Sequence, residues 1–161
     1  MLFLRKKSNG PVPADPEVQN RDARAELAAL FEAQPTLVCS PDGIIERCSD
    51  SFAALLGQPA SEIAGKPVLG LFAPQSEEAW RDAWSRALQG DAVNGDYQCS
   101  GKEHRRWLRI SVSRSGTGAP HASRMYCFAT DLTSLRTELD EIRGELKVRQ
   151  DIMNITSIVS E

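Results

Sequence analysis

Two short apolar runs, 36–40 (Thr-Leu-Val-Cys-Ser) and 44–48 (Ile-Ile-Glu-Arg-Cys), bracket the triplet Pro41-Asp42-Gly43. Asp-Gly supplies the positive φ that a tight turn needs, so this pattern predicts a β-hairpin. The spacing of apolar residues then lengthens from two to three and four. Phe52, Leu55 and Leu56 share one face behind Ser49-Asp50-Ser51, and Gly57 stops that helical turn. A second short helix opens at Pro59 and closes at Gly65 and Pro67. A third opens on Ser76-Glu77-Glu78, a hydroxyl cap with acids where the helix dipole favours them. Its apolar positions are Ala79, Trp80, Ala83, Trp84, Ala87 and Leu88, and Gly90 ends it. The period returns to two in three further strands, 97–99, 107–112 and 125–130. In the middle one Leu108, Ile110 and Val112 alternate with Trp107, Arg109 and Ser111, so one face is buried and the other is not. The Gly-, Ser- and Pro-rich stretch 113–123 reads as the loop between the last two strands.

The two ends are of a different kind. Residues 8–20 carry Gly10, Pro11, Pro13 and Pro16 among polar neighbours and read as a flexible tail. Asp22 caps an expected helix over 22–33, with Leu27, Leu30 and Phe31 on one face, ending before Pro35. A long helix is predicted from Ser134 to Asn154. Along it Leu135, Leu139, Ile142 and Leu146 step by four, three and four, the a/d seam of a coiled coil. Two heptads are marginal alone in water, so this helix must dock on the domain or on a second chain. Two strands, short helices, then three strands predict an α+β fold: an antiparallel five-stranded sheet with helices gathered on one face. The expected organisation is a tail over 1–22, a domain with its N-terminal helix over 23–133, and an exit helix over 134–161.

Composition narrows the function classes. At 161 residues, 41% hydrophobic and 25% charged, the chain has the balance of a soluble globular domain. A net charge of -3 gives no electrostatic reason to expect nucleic acid as a partner. No stretch approaches the ~20 apolar residues of a membrane span, and Arg5-Lys6-Lys7 follow the apolar Met1–Leu4 instead of preceding it as in a signal peptide. A cytoplasmic location and a solvated basic tail are therefore expected. Cys39, Cys48, Cys99 and Cys127 lack metal-ligand spacing and read as small, partly buried thiols, with redox sensing through Cys39 and Cys48 as the alternative. No phosphate-cradling glycine loop or hydrolase spacing is present, so no enzymatic activity is expected.

The series Ser40-Pro-Asp-Gly-Ile-Ile-Glu-Arg-Cys-Ser-Asp-Ser-Phe-Ala-Ala-Leu-Leu-Gly resembles the opening of PAS domains, where an Asp-Gly hairpin leads into N-x-x-F-x-x-L-x-G. Pro59-Ala-Ser-Glu-Ile-Ala-Gly-Lys-Pro is similar to the S-x-E-E-L-x-G-K that follows there. Trp80 to Gly90 resembles their core-crossing helix, Trp107-Leu-Arg-Ile their tryptophan strand, and Ala129-Thr-Asp-Leu-Thr the D-I-T at which they exit. Ser49 or Asp50 stands where the family often has Asn, and Arg105-Arg106 where a Gly-containing turn is usual. The resemblance covers 31–133 and implies the PAS fold. The stretch 145–161, ending Ile-Val-Ser-Glu161, resembles the segment joining tandem PAS domains of soluble methyl-accepting chemotaxis receptors. It implies a chemotaxis or aerotaxis pathway, and the expectation that the chain is an N-terminal fragment leading toward a second PAS domain.

The resemblance also implies where a ligand would lie, between sheet and helices. Haem is disfavoured, because His104 and His121 fall in loops; a flavin-reactive cysteine is absent from 65–74. FAD remains a candidate, since FAD-bearing aerotaxis receptors place a tryptophan where Trp84 stands, and an indole stacks on an isoalloxazine. Those receptors also carry an Arg-His-Pro-type stretch before this helix, where Leu71-Phe72-Ala73-Pro74 stands here. Trp80 and Trp84 are otherwise core or interface aromatics. The resemblance makes Asp131 and Thr133 the relay into the exit helix. Two functions follow: a sensory module feeding a chemotaxis output, or a ligand-free module that dimerises through Leu27, Leu30, Phe31 and the seam Leu135, Leu139, Ile142 and Leu146. A homodimer and a downstream signalling domain are the expected partners.

Overall fold

A computed structural model of the chain describes residues 16–101, 104–116 and 123–158. Helix α1 (Pro16–Ala33) leads into strands β1 (Thr36–Cys39) and β2 (Ile45–Cys48). Helices α2 (Asp50–Leu56) and α3 (Ala60–Ile63), a 3-10 turn (Val68–Leu71) and helix α4 (Pro74–Leu88) follow. Strands β3 (Val93–Ser100), β4 (Arg105–Ser115) and β5 (Arg124–Asp131) then lead to helix α5 (Thr133–Ile158). The strands form one five-stranded sheet in the order β2-β1-β5-β4-β3, and every pairing is antiparallel. The α+β class and the five-stranded sheet are those expected from the pattern.

The local signals explain most of these elements. Gly43 turns the first hairpin at φ 84°, and Gly57 closes α2 in the left-handed region at φ 65°, which a glycine adopts without a Cβ penalty. Ser49 caps α2: its Oγ accepts from the Phe52 backbone N–H at 3.2 Å and from the Thr36 N–H at 2.9 Å. One fully buried hydroxyl thereby ties the helix to the first strand. Leu108, Ile110 and Val112 are buried as their alternation requires, and pack with Leu37, Met125 and Cys127 beneath Phe52, Leu56, Ile63 and Trp80. Each such side chain taken out of water stabilises the fold by roughly 1.5–3 kcal/mol before entropy is counted.

Several boundaries depart from expectation. Residues 16–22, read as tail, are helical, because α1 begins at Pro16 and places Glu17 in its first turn. A proline at the first helical position lacks only an N–H that would have no intrahelical acceptor, and an acid there suits the dipole. Asp22 is consequently interior to the helix and is not its cap. Helix α4 likewise starts at Pro74, with Ala73 as a cap lacking a side-chain bond. Ser76 turns inward instead, accepting from the Gln98 N–H at 2.9 Å, while the Ala73 N–H donates to the Gln98 carbonyl at 2.8 Å. Ala79 on α4 is exposed. Strand β3 extends back to Val93 because polar Asn94 and Asp96 pair with Ser111 and Arg109 on the outer face of β4. The exit helix starts at Thr133 and continues to Ile158. Residues 1–15, 102–103, 117–122 and 159–161, and with them the expected basic tail and His121, lie outside the described residues.

Candidate functional site

Two places gather the side chains singled out by the sequence: the aromatic cluster between α4 and the sheet, and the junction from β5 into α5.

Trp80 is 2% exposed and is walled in by rings. Phe72 lies 4.3 Å from it between centroids, tilted by 30°; Tyr97 meets it edge-on at 5.2 Å; Trp84 is 5.6 Å away. Such edge and tilted contacts suit the ring quadrupoles and each add about 0.5–1.5 kcal/mol beyond area. Trp80 is therefore packed as a core aromatic, and it also lines the groove beside Trp84. Trp84 is only half-buried, and its Nε1–H donates to the Pro41 carbonyl at 3.1 Å, tying α4 to the hairpin turn. Its ring borders a groove of about 350 Å³ lined mainly by Pro67, Val68, Leu69 and Leu88, with Asp42 and Arg81 as its charged groups. Small-molecule pockets begin near ~300 Å³, so this groove admits a small apolar ligand. His104 lies exposed between β3 and β4, away from this cluster.

At the junction the expected pair is brought together. Asp131 Oδ1 accepts from the Thr133 backbone N–H at 2.8 Å and from its hydroxyl at 2.5 Å. The same hydroxyl oxygen accepts from the Trp107 N–H at 3.1 Å, and Asp131 Oδ2 accepts from Arg106 at 3.2 Å. The first turn of α5 is thus sewn to β4. Sequence reasoning missed the next layer. Arg136 lies 3.9 Å over the Trp107 ring and donates to Asp96 Oδ2 at 3.2 Å. Asp96 is also gripped by Arg109, at 2.7 and 3.1 Å. The Arg109 hydrogen bond, partly opposed by burial and helped by Arg136, holds the Asp96 carboxyl below its ordinary pKa of 3.8. The alternation of β4 placed Trp107 and Arg109 on its outer face, but nothing in the sequence joined them to Arg136.

The apolar faces assigned to partners behave unevenly. Leu135, Leu139, Ile142 and Leu146 are 44–58% exposed. Leu27 and Leu30 are exposed, whereas Phe31 is buried with the Arg47 guanidinium 4.3 Å above its ring, so α1 is anchored at its last turn. The cysteines are thiols: Cys39, Cys99 and Cys127 are buried and Cys48 partly so. Burial pushes Cys99 up to about 12. Cys48 reaches about 12 through burial, aided by the Asp50 and Cys39 charges. A Cys48 thiol held so far from ionising is a poor nucleophile, which argues against a redox role for that residue. Among the described residues no helix is long and apolar enough to cross a membrane.

A family model described as PAS fold matches residues 33–137. The biofilm dispersion protein BdlA of Pseudomonas aeruginosa is 27% identical over 123 residues, covering 74% of this chain and 30% of that protein. The chain thus spans about a third of that relative's length. Among solved structures, a PAS domain from Colwellia psychrerythraea superposes with TM-score 0.62 at 19% identity, covering 70% of this chain and 99% of that one. A sensory box histidine kinase/response regulator from Burkholderia thailandensis gives TM-score 0.60 at 18% identity, covering 79% and 98%.

Proposed function

The chain belongs to the PAS fold family, and on that premise we propose that it is the sensory module of a chemotaxis-type signalling protein. In this reading it detects a small-molecule, redox or oxygen-related cue and passes it through α5, performing no chemistry of its own. The observation that carries it is the bonded path from the sheet into the helix. Asp131 and Thr133 link β5, the Trp107 backbone of β4 and the first turn of α5. A shift of β4 or β5 caused by ligand beneath the sheet would move Thr133, and with it the helix. The similarity to a protein named for biofilm dispersion supports a signalling output of that kind.

Replacing Asp131 by Ala in the full-length receptor removes the bond between strand and helix while leaving the core untouched. The expected result is a normally folded receptor whose output no longer follows its stimulus; unchanged signalling would sink the relay. A spectrum of the purified protein tests the cue, with flavin bands supporting redox or oxygen sensing.

The second reading, a ligand-free dimerisation module, is favoured by one observation. Phe72, Trp80 and Tyr97 pack on one another and fill the space between them with their own rings. A featureless visible spectrum, together with no thermal shift from any small molecule offered, would favour it.

A further inference from the structure

The groove beside Trp84 has one rigid wall and one helical wall. Its lining comes from the first hairpin turn, the 3-10 turn and α4, and among the described residues no strand contributes to it. A ligand there would rest beside α4 and not on the sheet. The hairpin turn and the 3-10 turn are sewn together: the Val68 N–H donates to the Gly43 carbonyl at 2.8 Å, and the Ile45 N–H to the Lys66 carbonyl at 3.0 Å. The facing wall is one stripe of α4, since Arg81, Trp84, Ser85 and Leu88 follow one another at helical spacing. The bond from Trp84 to the Pro41 carbonyl crosses between the walls. Two opposite charges flank that bond. Asp42 follows Pro41 in the turn, and Arg81 lies one helical turn before Trp84. Asp42 is exposed and forms no ion pair among the described residues. Arg81 is paired there only with Glu77, at 3.4 Å and largely in solvent, a contact easily exchanged.

We propose that this groove binds a free α-amino acid with an apolar side chain. Asp42 takes the ammonium, the Arg81 guanidinium takes the carboxylate, and the side chain lies against Val68, Trp84 and Leu88. Charge complementarity selects this occupant over its relatives. An amine would leave Arg81 idle and a carboxylic acid would leave Asp42 idle, whereas a zwitterion uses both. A guanidinium grips a carboxylate through two parallel N–H bonds, and a flat side chain stacks on an indole. The volume of about 350 Å³ is at the low end for small-molecule sites, which suits one such molecule and excludes a dinucleotide. The inference rests on the sensory reading above and names its cue by chemical class.

The test titrates the whole chain with L-phenylalanine, with phenethylamine, which lacks the carboxylate, and with hydrocinnamate, which lacks the ammonium. The Trp84 Nε1–H resonance, assigned by its loss in Trp84→Phe, reports occupancy. Phenylalanine is expected to shift that resonance saturably. Each analogue should bind about three- to fivefold more weakly, the loss of one exposed ion contact. Arg81→Gln should bind phenylalanine no better than phenethylamine, and Asp42→Asn no better than hydrocinnamate. Both residues are exposed, so neither change touches the core. No saturable shift of any tryptophan resonance overturns the ligand class, and a shift that spares Trp84 overturns the site. An analogue binding as tightly as phenylalanine overturns recognition of the zwitterion. An unchanged constant in either variant overturns the role given to that charge. The sensory reading fails separately, through unchanged signalling in the Asp131→Ala receptor, so the two failures are told apart.

Discussion

The guanidinium of Arg136 sits 3.9 Å over the ring of Trp107, 29 residues earlier in the chain, and so fixes the first turn of α5 on the outer face of β4. The contact is half in solvent, where a cation over an indole stabilises by about 0.5–1 kcal/mol. Arg136→Ala should therefore leave global stability nearly unchanged but fray the start of α5. Amide exchange over 134–140 should quicken by severalfold. Arg136→Lys should recover only part of the protection, because an ammonium keeps the charge but not the planar stack. Equal protection in all three proteins would show that the stack does not hold the helix.

The same cluster gives the junction an acid limit. Asp96 is held below 3.8 chiefly by its bond from Arg109. A depressed carboxylate contributes stability that is fully present above its unfolded pKa and is lost as pH falls through the folded one. Docking of α5 should thus be insensitive to pH from neutrality down to about 4, and loosen below that as Asp96 takes a proton. Trp107 emission against pH reports it. Asp96→Asn should flatten that transition; a transition of the same size in this variant would assign it to another group.

Ser49 is the polar residue on which the fold depends most locally. Its fully buried hydroxyl serves two backbone N–H groups, those of Thr36 and Phe52. Ser49→Ala leaves the Thr36 N–H unpaired away from water and removes the α2 cap. A loss of about 2 kcal/mol in urea unfolding is expected, with no change in slope. A loss under 0.5 kcal/mol would mean that the site repacks around a water.

The elements legible beforehand were those whose signal is local. Asp42-Gly43 announced the first turn, Gly57 the end of α2, and Leu108, Ile110 and Val112 the buried face of β4. What was hidden depended on distant partners. Asn94 and Asp96 look like loop until Ser111 and Arg109 pair with them, and Ser76 looks like a cap until Gln98 claims its oxygen. Pro16 was expected in the tail and the helix after Pro74 was expected to open at Ser76, although a proline suits the first helical position, where its missing N–H would have no partner. Asp131 and Thr133 could be placed because they are neighbours in the chain; Arg136 could not, since its target lies across the sheet.

Gly95 tests the aromatic cluster, and Gly144 on α5 is its control. A Cβ at Gly95 would fall on the Tyr97 ring, which lies over this glycine and packs edge-on against Trp80. Gly95→Ala must push Tyr97 out of the cluster, and a cost of about 1–3 kcal/mol with altered Trp80 emission is expected. Gly144 lies on exposed α5 with nothing within 4 Å of an added Cβ. Gly144→Ala should instead stabilise the helix by up to ~1 kcal/mol and leave the tryptophan spectrum unchanged. The two glycines thus differ in sign for one physical reason, since only at Gly95 does another side chain occupy the space a methyl needs. Thermal unfolding of the two variants decides it: equal, small shifts would mean that Tyr97 yields freely and that the cluster is looser than its ring contacts imply.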